Sequence, residues 1–438
     1  MKSHKNKIVT ITTVGFALFA MFFGAGNLIL PPFIGVTAAN QWFVSLLGFF
    51  ITAIIAPFLG VLVVTKSGVT FTDLRQRVHP VVIDILAVLI ILCIGPLVAI
   101  PRTGATTFEV GVVPFFPKLD GGVFAVFFFV AVFLLSFSKN KTVEIIGKFL
   151  TPVLLVSLFA LISLGIFYPI KPVDASELSA AEAFTFGFVE GYQTLDVLAS
   201  VIFAGIIISA VVSSGYVSVK ERVNVTISAG LLSTIALLLI YGGLIYLGAT
   251  SDYVTASGKS ASEISRTDLL LHISTSILGK FGTFIMAVAI AFACLTTAIA
   301  LTSATGSIFE KMSKGKIPYW LGVSVCSLIS AFLSVHGVDK IITYAVNILL
   351  FIYPIVFTLI LTILLFGKWI KTRLPFVGAI LATTLLSIIS VLENLNVSGL
   401  NSLFELKKSL PLGGYQLEWL LPSLITFVVF ALFEKKKQ

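Results

Sequence analysis

The stretch Phe22-Phe23-Gly24-Ala25-Gly26-Asn27, followed by Pro31-Pro32, interrupts an apolar run from about Ile8 to Val36. Two glycines and an asparagine there release backbone groups that an unbroken helix would consume. Amides near Ala25 and Gly26, opening the next helical segment, present positive partial charge to a carboxylate. Carbonyls near Ala20 to Phe23, closing the preceding segment, suit an ammonium group or a hard cation such as sodium. A second interruption reads Phe188-Val189-Glu190-Gly191-Tyr192-Gln193-Thr194-Leu195-Asp196. Each acid at mid-bilayer costs about 2.5–3.5 kcal/mol on insertion scales. The alternative is a short pre-helix loop with the span starting only at Leu195, against which residues 184–189 are very apolar. A third polar patch, Ala293-Cys294-Leu295-Thr296-Thr297-Ala298, places hydroxyls on an apolar segment. With Asn27 and Thr194 they offer the oxygen shell of a hard cation. Taken alone, they read as hydroxyls bonded back to their own helix or packed between helices.

Positioning such groups requires a membrane scaffold. Of the 438 residues, 58% are hydrophobic and 11% charged, against about a quarter charged in soluble domains. Twelve spans of roughly the required 20 residues are predicted at 8–37, 41–65, 80–110, 122–138, 144–168, 184–213, 224–249, 280–309, 318–335, 340–366, 374–392 and 419–433. Of the 29 basic residues, 20 fall on the side of the N-terminus. The others are spread over longer loops such as 250–279, so both termini are predicted to be cytoplasmic. The net charge of +9 therefore reflects membrane orientation and not nucleic-acid binding. The lysines at 2, 5 and 7 before an apolar run imitate a signal peptide, but the run resumes at once from Leu28.

The two breaks lie five spans apart. An odd number of spans per repeat inverts the second copy, setting two broken helices back to back at the bilayer midplane, where secondary transporters hold substrate and ion. A Ser/Thr/Gly-rich ending shared by spans three (Thr103 to Glu109) and eight (Ser303 to Glu310) is a weak echo of that repeat.

The strings FFGAGNLILPP, EGYQTLD and FACLTTAIA resemble the bacterial branched-chain amino acid:cation symporter family, and the resemblance extends over essentially the whole chain. It implies an all-α membrane protein with the leucine-transporter-like fold of the amino acid–polyamine–organocation superfamily. On that fold the chain is a single transporter domain: one five-helix repeat over 8–168, its inverted copy over 184–366, and two additional helices over 374–433. It implies uptake of leucine, isoleucine or valine across the bacterial cytoplasmic membrane, coupled to sodium, with protons as the alternative ion and no other cofactor. The resemblance places the substrate against Phe23, Gly24, Ala25 and Gly26 and against Glu190, Gly191, Tyr192 and Gln193. It assigns sodium to Asn27 and Thr194 beside the substrate, and to Ala20, Phe23, Ala293, Thr296 and Thr297 at a second site.

The chain departs from this pattern in two places. The third span has no tyrosine to meet a substrate carboxylate, offering Gly95, Pro96, Pro101 and Arg102 instead. The seventh span has only Asn224, near its cytoplasmic end, where the fold expects an asparagine ligand. The sequence leaves the roles of Arg102 and Asn347 open, along with the preference among the three substrates. Other residues carry less. Cys93, Cys294 and Cys326 lie in apolar stretches as packing residues, Asp84 is interfacial, and the histidines at 79, 272 and 336 sit at span ends. An integral-membrane enzyme would need clustered His, Asp or Glu, and an ATP-driven pump a G-x-x-x-x-G-K-[ST] loop; neither is visible. The remaining rival is a permease of the same fold for another neutral amino acid or a purine. No nucleic-acid or protein partner is expected beyond the lipid bilayer.

Overall fold

The computed structural model describes residues 6–24, 26–137, 142–258 and 263–435. These are almost entirely helical. The principal helices are α1 (Lys7–Phe22), α2 (Gly26–Ala38), α3 (42–67), α4 (Pro80–Gly111), α5 (Gly121–Phe137), α6 (Thr142–Phe167) and α7 (Ala180–Glu190). They continue as α8 (Asp196–Ser213), α9 (Val219–Ala249), α10 (Arg266–Met312), α11 (Tyr319–Ser334), α12 (Val338–Phe366), α13 (Leu374–Asn394) and α14 (Leu420–Lys435). Among the described residues, seven helical runs are long and apolar enough to cross a membrane, and five shorter helices are predominantly apolar. The chain is a multi-pass membrane protein.

Both interruptions are real breaks in the helical backbone. α1 stops at Phe22, whose successor leaves helical geometry at φ −87°, ψ 73°. α2 resumes at Gly26 and carries Pro31 and Pro32. These prolines lack the N–H groups that would bond to the carbonyls of Asn27 and Leu28, so the polar character of the break extends into α2. The second break is a 3₁₀ turn over Gly191–Thr194 followed by Leu195 in the left-handed region at φ 65°. α7 itself begins with a Ser179/Glu182 capping box.

Small residues set the spacing around the breaks, as they do where membrane helices pack closely. A Cβ at Gly35 would run into the Ile245 carbonyl, and one at Gly248 into the Pro32 carbonyl, which fixes α2 against α9. Ser45 donates to the Ala183 carbonyl at 2.6 Å and Thr52 to the Phe188 carbonyl at 2.8 Å, tying α3 to α7. Replacing Gly248 by Ala is expected to force α2 and α9 apart and destabilise the fold by about 1–3 kcal/mol. A thermal midpoint equal to that of the unmodified protein would show that this contact is slack.

Two helices bend for identifiable reasons. α4 passes through a π turn at Cys93–Leu97 with Gly95 at φ −92°, ψ −119° and Pro96 beside it, and its second half is redirected there. α10 bends at Gly279, φ 69° and ψ 179°, dividing a membrane segment from a helix that precedes it. The stretch 250–279 is thus not an extended loop as the hydropathy suggests. It contains Tyr253–Ser257 and the first part of α10. Leu269, Leu270 and Ile273 form a short buried stripe there, amphipathic and so silent in an average over span-length windows. The three cysteines are buried and free.

Candidate functional site

Asn27 joins the two breaks. It is 1% exposed, and its Nδ2 lies 2.6 Å from the Phe22 carbonyl, 2.8 Å from Asp196 Oδ2 and 3.0 Å from Tyr241 Oη. The Tyr241 hydroxyl in turn donates to the Phe22 carbonyl at 3.3 Å. The end of α1, the start of α2, the start of α8 and the middle of α9 are thereby held by one side-chain amide. On the second break, the Thr194 hydroxyl donates to the Gly191 carbonyl at 2.9 Å and accepts from the Asp196 amide at 3.3 Å.

Arg102 enters from the redirected half of α4. It is 5% exposed, and its Nη1 donates to the Gln193 carbonyl at 2.5 Å. Its guanidinium lies so close to Gly26 that a Cβ there would stand 2.5–2.6 Å from Nη2, Cζ and Nε. Between these groups lies a cavity of about 90 Å³, room for about three waters at their share of liquid volume. Its apolar wall includes Met21, Ile94, Ala99, Phe203 and Leu301; Gly24, Gly26, Asn27, Arg102, Thr194, Asp196 and Thr297 supply polar groups.

The residues expected from the sequence are not all in one place. Gly24, Gly26, Asn27, Thr194 and Thr297 line the cavity, and Ala25 lies outside the described residues. Phe23 is buried, its ring 5.1 Å from Phe19 and 6.3 Å from Tyr241. Gln193 reaches the site through its carbonyl. Gly191 packs against Thr52, and the Tyr192 ring lies 4.4 Å from that of Tyr353. The carbonyl of Ala293 accepts the Thr296 hydroxyl at 3.0 Å, a bond within α10. Ala20 is on an exposed face of α1, which rests mainly on α9 and α8.

Glu190 stands outside the cavity lining, in a charged cluster with Arg266 and Asp339. Arg266 Nη2 is 3.2 Å from Glu190 Oε1 and its Nη1 2.8 Å from Asp339 Oδ1, while its Cζ lies 3.9 Å above the Phe33 ring. Next to it, Glu109 accepts from the Thr267 hydroxyl at 2.8 Å and from the Val338 amide at 2.9 Å.

Several participants escaped the sequence reading. Asn224 is exposed near the start of α9, and the residue of that helix that reaches Asn27 is Tyr241, which no motif marks. Asp196 and Arg102 were visible as charges in apolar runs, a signal in itself, but their meeting depends on the bend at Gly95. Asn347 bonds to Asn394 at 2.8 Å, Asp84 pairs with Arg75, and His272 meets Asp252 at 2.7 Å. No cluster of three metal-ligating side chains occurs among the described residues.

Comparison with known proteins places this geometry. Residues 7–437 match the family model described as branched-chain amino acid transport protein. The branched-chain amino acid permease BraB of Bacillus subtilis is 33% identical over 433 residues, covering 97% of this chain and 96% of that one. Among solved structures, an inward-facing conformation of Mhp1 matches with a TM-score of 0.64 at 11% identity, over 98% of this chain and 91% of that chain. A manganese transporter mutant of Eremococcus coleocola matches with a TM-score of 0.59 at 16% identity, over 98% of this chain and 97% of that chain. The shared feature is the fold.

Proposed function

The chain belongs to the branched-chain amino acid transport protein family, and so is a transporter and not an enzyme; from that premise we propose that it is a sodium-coupled symporter. It imports leucine, isoleucine and valine across a bacterial cytoplasmic membrane, with both termini cytoplasmic. Its twelve spans comprise two inverted five-span repeats, 8–168 and 184–366, related by an axis in the membrane plane, and two further helices over 374–433. The observation that carries this reading is the meeting of two broken helices around one small cavity with a largely apolar wall. Such breaks put free backbone groups where a substrate and its coupling ion bind, and an apolar wall accommodates a branched aliphatic side chain while discriminating single methylenes weakly.

Alternating access then works around this fixed site. Sodium binds beside the substrate at Asn27 and Thr194 on the two breaks, and at a second site where Ala20 and Phe23 of the first broken helix face Ala293, Thr296 and Thr297 of α10. The substrate lies against residues 23–26 and against residues 190–193 at the second break, and the bundle rocks to expose it on the other side. The test is uptake of labelled leucine into proteoliposomes, with sodium and proton gradients imposed separately. Uptake driven by sodium alone is the expected result. Uptake driven only by protons assigns the coupling to a carboxylate, with Glu190 and Asp196 the candidates, and removes sodium from the reading.

Thr297→Ala removes a cavity-lining hydroxyl with little effect on helix propensity. The sodium concentration for half-maximal uptake is expected to rise roughly tenfold, the equivalent of one hydrogen-bond-strength contact. Leucine affinity should recover at high sodium. An unchanged sodium dependence would take Thr297 out of the ion site.

A further inference from the structure

We propose that Arg102 and Asp196 read the two charges of the substrate, the guanidinium binding the α-carboxylate and the aspartate the α-ammonium. This rests on the reading of the chain as an amino acid transporter and adds which residues of this chain recognise the amino acid backbone.

The argument begins with two buried charges that do not neutralise each other directly. Each is 5% exposed and both line the central cavity, yet among the described residues no ion pair joins them within 4.0 Å. A guanidinium carries five N–H donors in a planar fork. Among the described residues Arg102 donates one hydrogen bond, to the Gln193 carbonyl. Asp196 accepts the Asn27 amide and keeps oxygen lone pairs free. Arg102 and Asp196 attract each other across the cavity without a direct contact, an arrangement less favourable for buried charges than direct pairing. A zwitterion between them supplies a direct partner to both at once.

The surroundings give the pair a direction. Arg102 lies against Gly26, at the positive end of α2, so guanidinium and helix terminus favour the same anionic group. The fork of Arg102 matches a carboxylate in two-point geometry, which a lysine would not reproduce. Asp196 sits beside Thr194 on the second break. Met21, Ile94, Phe203 and Leu301 remain for the aliphatic side chain.

The test is ligand binding to the purified full-length protein with leucine, 3-methylbutylamine, which lacks the carboxylate, and 4-methylpentanoate, which lacks the ammonium. The unmodified protein is expected to bind each analogue about 100-fold or more weaker than leucine, since each leaves one buried charge unpaired. Arg102→Gln should lower leucine affinity about 100-fold and leave 3-methylbutylamine within about threefold of its original affinity. Asp196→Asn should do the same for leucine and leave 4-methylpentanoate unchanged or tighter. An unmodified protein that binds leucine and either analogue equally overturns the assignment without any variant having to fold. Equal weakening of all three ligands in a folded variant also overturns it, showing a structural role for that charge. An unmodified protein that binds no branched-chain amino acid fails the transport reading itself, and the assignment with it.

Discussion

Gly26→Ala is expected to lower leucine affinity by about 100-fold or more while leaving thermal stability nearly unchanged. The added methyl would stand 2.5 Å from Arg102 Nη2, a separation that forces the guanidinium to move. The displaced group is the end of a flexible side chain and not backbone, so the fold can absorb the change. The hydrogen bond to the Gln193 carbonyl cannot survive it unaltered. A lost charge-assisted hydrogen bond and a misplaced cation together account for a loss of that size. Gly26→Leu should abolish uptake, because the side chain would also fill the small cavity and cover the α2 amides. The check is leucine binding alongside a melting curve for both variants. Normal affinity in Gly26→Ala would mean that the position of the guanidinium is immaterial to the substrate.

Asn27→Asp is expected to reduce leucine affinity further than sodium affinity. The substitution keeps size but turns a donor into an anion 2.8 Å from Asp196 Oδ2. Two carboxylates so placed cannot both remain ionised without strong repulsion. The variant also gives up the donor to the Phe22 carbonyl and to Asp196, so the two breaks lose their common tie. If Asn27 only capped α2, Asp would serve nearly as well, since both are good caps. Its observed hydrogen bonds are made as a donor, which is not what a cap does. Paired sodium and leucine titrations separate the cases, and an unchanged leucine affinity would leave Asn27 a structural residue.

Much of the scaffold was legible because its grammar is local. The Gly24/Gly26 pair ends one helix after Phe22, though Asn27 and the double proline lie inside the helix that resumes, and an acid, glycine and amide in an apolar run signal a second break. The cavity was less legible because it is assembled from distant elements. Tyr241 sits on a helix whose pattern says only that it is apolar, and its value depends on Asn27 lying 3.0 Å away. The direction of Arg102 depends on a backbone excursion at Gly95 that no helical periodicity records. The helix before Gly279 was missed because an amphipathic segment on the rim of the bundle has neither a span's hydropathy nor a loop's composition.

The Arg266 cluster has a mechanical consequence. Its guanidinium binds carboxylates from α7 and α12 while lying over Phe33 of α2, with 12% of its side-chain surface exposed. Removing one partner from a buried pair such as Arg266–Glu190 costs about 3–5 kcal/mol, whereas a wetted pair is worth about 0–1 kcal/mol, and the Asp339 arm, 37% exposed, stands nearer the second case. One guanidinium thereby ties α2, α7 and α12 together, so a movement of any of these helices away from the other two has to exchange contacts at Arg266.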